Sequence, residues 1–260
     1  MENVKFKNSR NKILAGIIYS AQIDSELIPI KTEKVIIMCH GYSSDKSMEG
    51  RTASLAKKLT ASGFDCFAFD FSGCGESEDD SISLTKEIED LTSAVDFVKS
   101  LNYKKIAFYG HSLGALICLM AYSPKIVTMV LSGPLTDTII QELKEHYPEE
   151  QINELMEKGK ISLPIKNSLR NSLVIDKQML SDMEELEQHR VLSNIKCPIL
   201  LIHGNSGPDE TLLLTKTKKG LEFLPKESKL EIINGAEHNF GNYIETLNKL
   251  TDDWFKRYFQ

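Results

Sequence analysis

The stretch Phe108-Tyr109-Gly110-His111-Ser112-Leu113-Gly114-Ala115-Leu116 decides how this chain is read. It contains Gly-x-Ser-x-Gly, a pattern common in unrelated proteins, so its neighbours must carry the argument. Upstream, "KKIAFYG" (104–110) is a short apolar run ended by glycine, which predicts a buried strand. Downstream, "LGALICLMAY" (113–122) continues without a break as a helix. A serine between the two occupies a sharp strand–turn–helix bend that lifts its hydroxyl above the sheet. Gly110 and Gly114 suit such a bend, because side chains there would collide with neighbouring backbone. Helix N–H groups at the same point favour developing negative charge.

Working outward, short apolar runs alternate with helix-like patterns, which predicts an α/β fold around a mostly parallel sheet. "KVIIMCHG" (34–41), "DCFAFDFSG" (65–73), "KIVTMVLSGP" (125–134) and "CPILLIHG" (197–204) read as further strands, and "SKLEIINGA" (228–236) as the last. "NVKFKNS" (3–9) and "KILAGIIYSAQ" (12–22) suggest an N-terminal hairpin. Helical patterns cover "RTASLAKKLTASGF" (51–64), "TKEIEDLTSAVDFVKSL" (85–101), "DETLLLTKTKKGLEFL" (209–224) and "YIETLNKLTDDWFKRYF" (243–259), the last with Trp254 in the core. Leu135 to Lys196 is far longer than an ordinary loop between strands. It is expected to be an inserted cap of helices and one irregular stretch, 160–175, on a core formed by residues 1–134 and 197–260.

Composition excludes several classes. Of 260 residues, 26% are charged and 41% apolar, as in an ordinary globular protein, and the formal charge is −6. No basic run offers a face to nucleic acid. No apolar run reaches the roughly 18 residues of a membrane span. The N-terminus lacks the apolar segment of a secretory signal, and Cys39, Cys66, Cys74, Cys118 and Cys197 show no paired spacing. Reduced thiols and a cytoplasmic location are expected. Neither metal-ligand spacing nor a phosphate-loop lysine is present.

A serine hydroxyl needs a base, and the base an orienting acid. His40, His111 and His203 sit beside glycines at strand ends, where backbone geometry accounts for them. His146 and His189 lie in charged cap segments and read as solvated. His238, in "NGAEHNF", follows the last strand at the same sheet edge as Ser112 and is the candidate general base. The strand 197–204 ends in "NSGPDE", which offers Asp209 and Glu210. Asp209 gives the chain order serine, acid, histidine, with Glu210 and Asp137 as the other candidates.

Four motifs in order, "HGYSSDKS", "DFSGCGESE", "GHSLG" and "IINGAEHNF", resemble those of α/β-hydrolases of the serine esterase and serine aminopeptidase-like type, close to bacterial cinnamoyl (feruloyl) esterases. The resemblance spans nearly the whole chain. It implies Ser112 as nucleophile, His238 as base, and backbone N–H groups of Tyr42 and Leu113 as oxyanion hole. Where that family often has its acid, this chain has Gly207; Asp209 fits if Gly207-Pro208 lengthens the loop by two residues. The expected activity is hydrolysis of small-molecule carboxylic esters through an acyl-serine, without a cofactor. Thioester, peptide or amide cleavage by the same machinery, or a binding protein that keeps only the fold, are the alternatives.

Overall fold

The computed structural model describes residues 1–23, 28–29, 31–138, 148–165 and 169–260. Eight strands form the main sheet: β1 (Glu2–Lys7), β2 (Ile13–Tyr19), β3 (Lys34–Cys39), β4 (Asp65–Phe69), β5 (Lys105–His111), β6 (Ile126–Ser132), β9 (Ile199–Gly204) and β10 (Lys229–Ile233). Between β6 and β9 lies a separate hairpin, β7 (Lys160–Pro164) with β8 (Ser172–Asp176). The sheet order is β1-β2-β4-β3-β5-β6-β9-β10. From β4 onward all neighbours run parallel, while β1 and β2 form the antiparallel edge.

The inner parallel strands are buried on both faces, which is why they read as unbroken apolar runs rather than alternating ones. Val35 to Cys39 and Ile199 to Gly204 are buried throughout. Helices α1 (Arg51–Ala61) and α8 (Ile244–Tyr258) cover one face, and α2 (Leu84–Ser100) and α3 (Leu113–Met120) the other. Trp254 of α8 is buried and donates its indole N–H to Thr128 Oγ1 at 2.8 Å. Two separate apolar cores, one on each side, hold the sheet rigid beneath the loops at its carboxyl edge.

The segment between β6 and β9 contains α4 (Glu149–Lys158), the β7–β8 hairpin, α5 (Lys177–Glu184) and α6 (Gln188–Leu192). The stretch expected to be irregular is in fact this hairpin. Its inward positions alternate, Ile161 opposite Ile175 and Leu163 opposite Leu173, but each arm is five residues long, too short to show a clear period in a sequence window. Backbone bonds from Ile82 N–H to Val174 and from Asp176 N–H to Ile82 tie the hairpin to the core. His146, and part of the expected cap, lie outside the described residues.

The chain steps from β3 outward to β4, then returns to the other side of β3 to form β5. Loops leaving β3 and β5 therefore diverge, and the crevice between them is where open α/β sheets bind ligands.

Candidate functional site

Ser112 stands at that crevice, between β5 and α3. Its backbone has φ 55° and ψ −121°, a region that costs a non-glycine residue on the order of 1–3 kcal/mol. The surroundings hold it there: Ser112 N–H donates to Ser132 O at 2.9 Å, and Ser112 O accepts from Ala115 N–H at 3.0 Å. Added Cβ atoms on Gly110 and Gly114 would come within 2.7 Å of Ala115 Cα and 2.3 Å of His40 O. The glycines thus allow β5, α3 and the end of β3 to pack closely enough to force the bend.

His238 follows β10 and reaches back to the same edge. Its Nε2 lies 2.8 Å from Ser112 Oγ, and its Nδ1 lies 2.6 Å from Glu210 Oε2. Glu210, not the expected Asp209, is the carboxylate that meets His238. The physical reason is where the helix begins. Gly207 has φ 80°, Pro208 opens helix α7 (Pro208–Gly220), and the next two residues fall in its first turn. Adjacent helical side chains point about 100° apart, so Glu210 turns inward while Asp209 remains exposed at the surface. Gly207-Pro208 is therefore the entry to a helix rather than a lengthened loop. Asp137 is also elsewhere, accepting from Thr138 N–H at 2.9 Å.

Glu210 is fully buried, and burial alone would raise its pKa; hydrogen bonds from His203 and His238 outweigh that and bring it down to about 2. It is an ionised acceptor at neutral pH. Oε1 accepts from His203 Nδ1 at 2.7 Å and from Gly204 N–H at 2.9 Å, leaving Oε2 to His238. His203 and Thr217, which closes the far side of that imidazole at 2.9 Å, were not singled out by the motif pattern. The signal for them in the sequence is the His203-Gly204 pair that ends β9.

The other strand-end histidines do different work. His40 donates from Nδ1 to Gly41 O and accepts from Phe71 N–H, and burial lowers its pKa. His111 packs 5.2 Å from the His238 ring; burial above all, with Arg51 and His238, holds it well below the usual imidazole range. His189 is exposed, as expected.

Leu113 is the first residue of α3, and Tyr42 follows Gly41, whose Cα faces Ser112: a Cβ there would stand 3.2 Å from Ser112 Cβ. Both residues line a cavity of about 350 Å³ that also contains Ser112 and His238. Its remaining wall is apolar, from Leu135, Ile175, Met179, Leu180, Met183 and Leu213, except for Asp209. The loop carrying Tyr42 is anchored at Lys46, which is almost buried and donates from Nζ to Asp70 at 2.7 Å and Glu76 at 2.5 Å. Among the described residues no group of His, Cys, Asp and Glu is arranged to hold a metal ion, and no helix is long and apolar enough to cross a membrane.

With this geometry in hand, comparisons with known proteins place the chain. The sequence profile of the family described as "Serine aminopeptidase, S33" matches residues 30–189. A Mycoplasma genitalium protein named as an esterase/lipase is 23% identical over 235 residues, covering 81% of this chain and 84% of that one. The human mitochondrial palmitoyl-protein thioesterase ABHD10 is 30% identical over 178 residues, 65% of this chain and 55% of that one. Among solved structures, Est1E from Butyrivibrio proteoclasticus with bound ferulic acid superposes with a TM-score of 0.75 at 17% identity, covering 98% of this chain and 99% of that one.

Proposed function

Since the chain belongs to the serine aminopeptidase S33 family and has the α/β-hydrolase fold, we propose that it is a serine hydrolase cleaving carboxylic esters of small to medium acyl groups. The observation that carries this is the continuous relay from Ser112 Oγ through His238 to Glu210, with links of 2.8 and 2.6 Å. In the proposed reaction His238 Nε2 takes the Ser112 proton as Oγ attacks the ester carbonyl carbon. The tetrahedral oxyanion is met by the Tyr42 N–H beside Gly41 and the Leu113 N–H at the start of α3. Collapse breaks the bond to the alcohol oxygen, which leaves with the proton from His238. Water then attacks the acyl-serine, gives its proton to His238, and releases the carboxylic acid as that proton returns to Ser112. Glu210 holds the Nδ1–H tautomer and offsets the imidazolium charge in both halves. The scheme needs no cofactor.

The cavity suggests the substrate class. About 350 Å³ is at the small end of ligand pockets, and its walls of leucine, isoleucine and adaptable methionine suit an apolar acyl group. Five of the six apolar wall residues come from residues 135–196, which we read as a cap on a core of residues 1–134 and 197–260. Asp209 makes the cavity unfavourable for an anionic group, so the preferred esters are neutral or cationic. All five cysteines are buried and unpaired, which fits a reducing cytoplasm. A thioester is the second reading, favoured by the similarity to a thioesterase over 65% of the chain; the same relay would expel a thiolate.

The test is turnover of a p-nitrophenyl ester series from acetate to palmitate, with Ser112→Ala as control. The reading expects a preference for short to medium chains and loss of turnover in the variant. Folded wild-type protein that turns over no ester, or a variant as active as wild type, would overturn it.

A further inference from the structure

His203 has no part in the relay just described, yet it is fully buried and both its ring nitrogens are engaged. Because Glu210 is ionised it can only accept, so His203 must donate to it through Nδ1–H. In the neutral ring this leaves Nε2 as an acceptor, which the Thr217 hydroxyl fills at 2.9 Å. Thr217 lies on α7 seven residues after Glu210, two helical turns along the same face. One imidazole at the end of β9 thus grips two points of α7. Its bond, with that of Gly204 N–H, commits Oε1 of Glu210 and so turns Oε2 toward His238. A glutamate side chain has three rotatable bonds, and without His203 it would be held only by the Gly204 N–H and by His238, the group that moves a proton in the proposed reaction.

We propose that His203, backed by Thr217, is a positioning residue that fixes the Glu210 carboxylate for His238. The inference rests on the proposed relay. It also accounts for how this chain supports an acid from a helix instead of from the loop: the carboxylate reaches back from the first turn of α7 and is caught at the strand end.

The experiment is a double-mutant cycle on ester turnover, with thermal melting as a check on folding. His203→Leu is expected to lower kcat about 10- to 100-fold while KM stays near wild type, as for groups that orient other site ligands. His203→Asn, whose side-chain amide can stand where Nδ1–H stood, is expected to recover most of the loss. In a Glu210→Gln background, His203→Leu is expected to add nothing, because a residue acting only through Glu210 has nothing left to orient. Thr217→Val, which keeps the volume and removes the hydroxyl, is expected to shift kcat in the same direction by less, and with His203→Asn it decides the matter if His203→Leu does not fold. Wild-type kcat in folded His203→Leu, a loss that Asn fails to recover, or losses that add in the Glu210→Gln background would overturn the inference. If Glu210→Gln itself kept wild-type turnover, the failure would lie in the relay rather than in His203.

Discussion

Among the described residues two glutamates are fully buried, and they are handled in opposite ways. Glu210, at the carboxyl edge of the sheet, meets three donors, and its pKa sits at about 2 despite the burial that would raise it. Glu87, on α2 beneath the core, has an Oε2 without a hydrogen-bond partner; burial first, and then Asp90, push its pKa up to about 8. Burial alone does not decide the charge of a carboxyl; the supply of donors does. A charge kept buried and fully supplied can act on a neighbour at neutral pH. One kept buried with an oxygen left unpartnered is neutral there and only loads the fold.

The largest effect is expected at the group that the Glu210 charge is proposed to serve. Ser112→Ala is expected to reduce kcat on esters on the order of 10⁶-fold, measured by stopped and continuous assays on folded protein. Next, Glu210→Gln keeps the shape but removes the charge, and kcat should fall about 10⁴-fold, as when the orienting carboxylate of a triad is neutralised. Asp209→Asn should lose far less on a neutral ester and should relax discrimination against anionic ones, measured as a ratio of kcat/KM values.

Smaller effects lie in stability. Gly114→Ala presses a Cβ to 2.3 Å from His40 O, and overpacking of this kind costs about 1–3 kcal/mol in denaturant titration. The two glutamates should then give opposite slopes against pH. Glu87 has its folded pKa raised from 4.5 to about 8, so the stability it carries is complete below pH 4.5 and is lost as pH rises through 8. Glu210 is depressed to about 2, so its stability is present above pH 4.5 and is lost as pH falls toward 2. Glu87→Gln should flatten the first slope in melts across pH 5–8; an unchanged slope would show that Glu87 is not the group responsible.

Much of this was legible in the residues. The alternation of apolar runs with helical patterns predicts the parallel sheet, and glycines on both sides of Ser112 predict a bend that needs close backbone approach. Such features are local, and backbone sterics leave few alternatives. His238 follows from its place after the last strand. Which carboxylate meets His238 did not follow, because Asp209 and Glu210 are adjacent in sequence and differ only in which way a helix turns them. That depends on whether Pro208 starts the helix or extends the loop, a matter of one residue. His203 was hidden for a related reason: its role depends on Thr217 two turns along a helix, a contact with no signature in the motif. The β7–β8 hairpin escaped because each of its two alternating arms is only five residues long.

Ser112 is proposed here as a nucleophile activated through His238 by Glu210. Reaction with a fluorophosphonate, located by peptide mass, tests it most directly because it needs no knowledge of the substrate. A single adduct on Ser112 is expected, formed much more slowly in Glu210→Gln than in Asp209→Asn. Folded protein that gains no adduct on Ser112, or an Asp209→Asn variant slowed as much as Glu210→Gln, would contradict it.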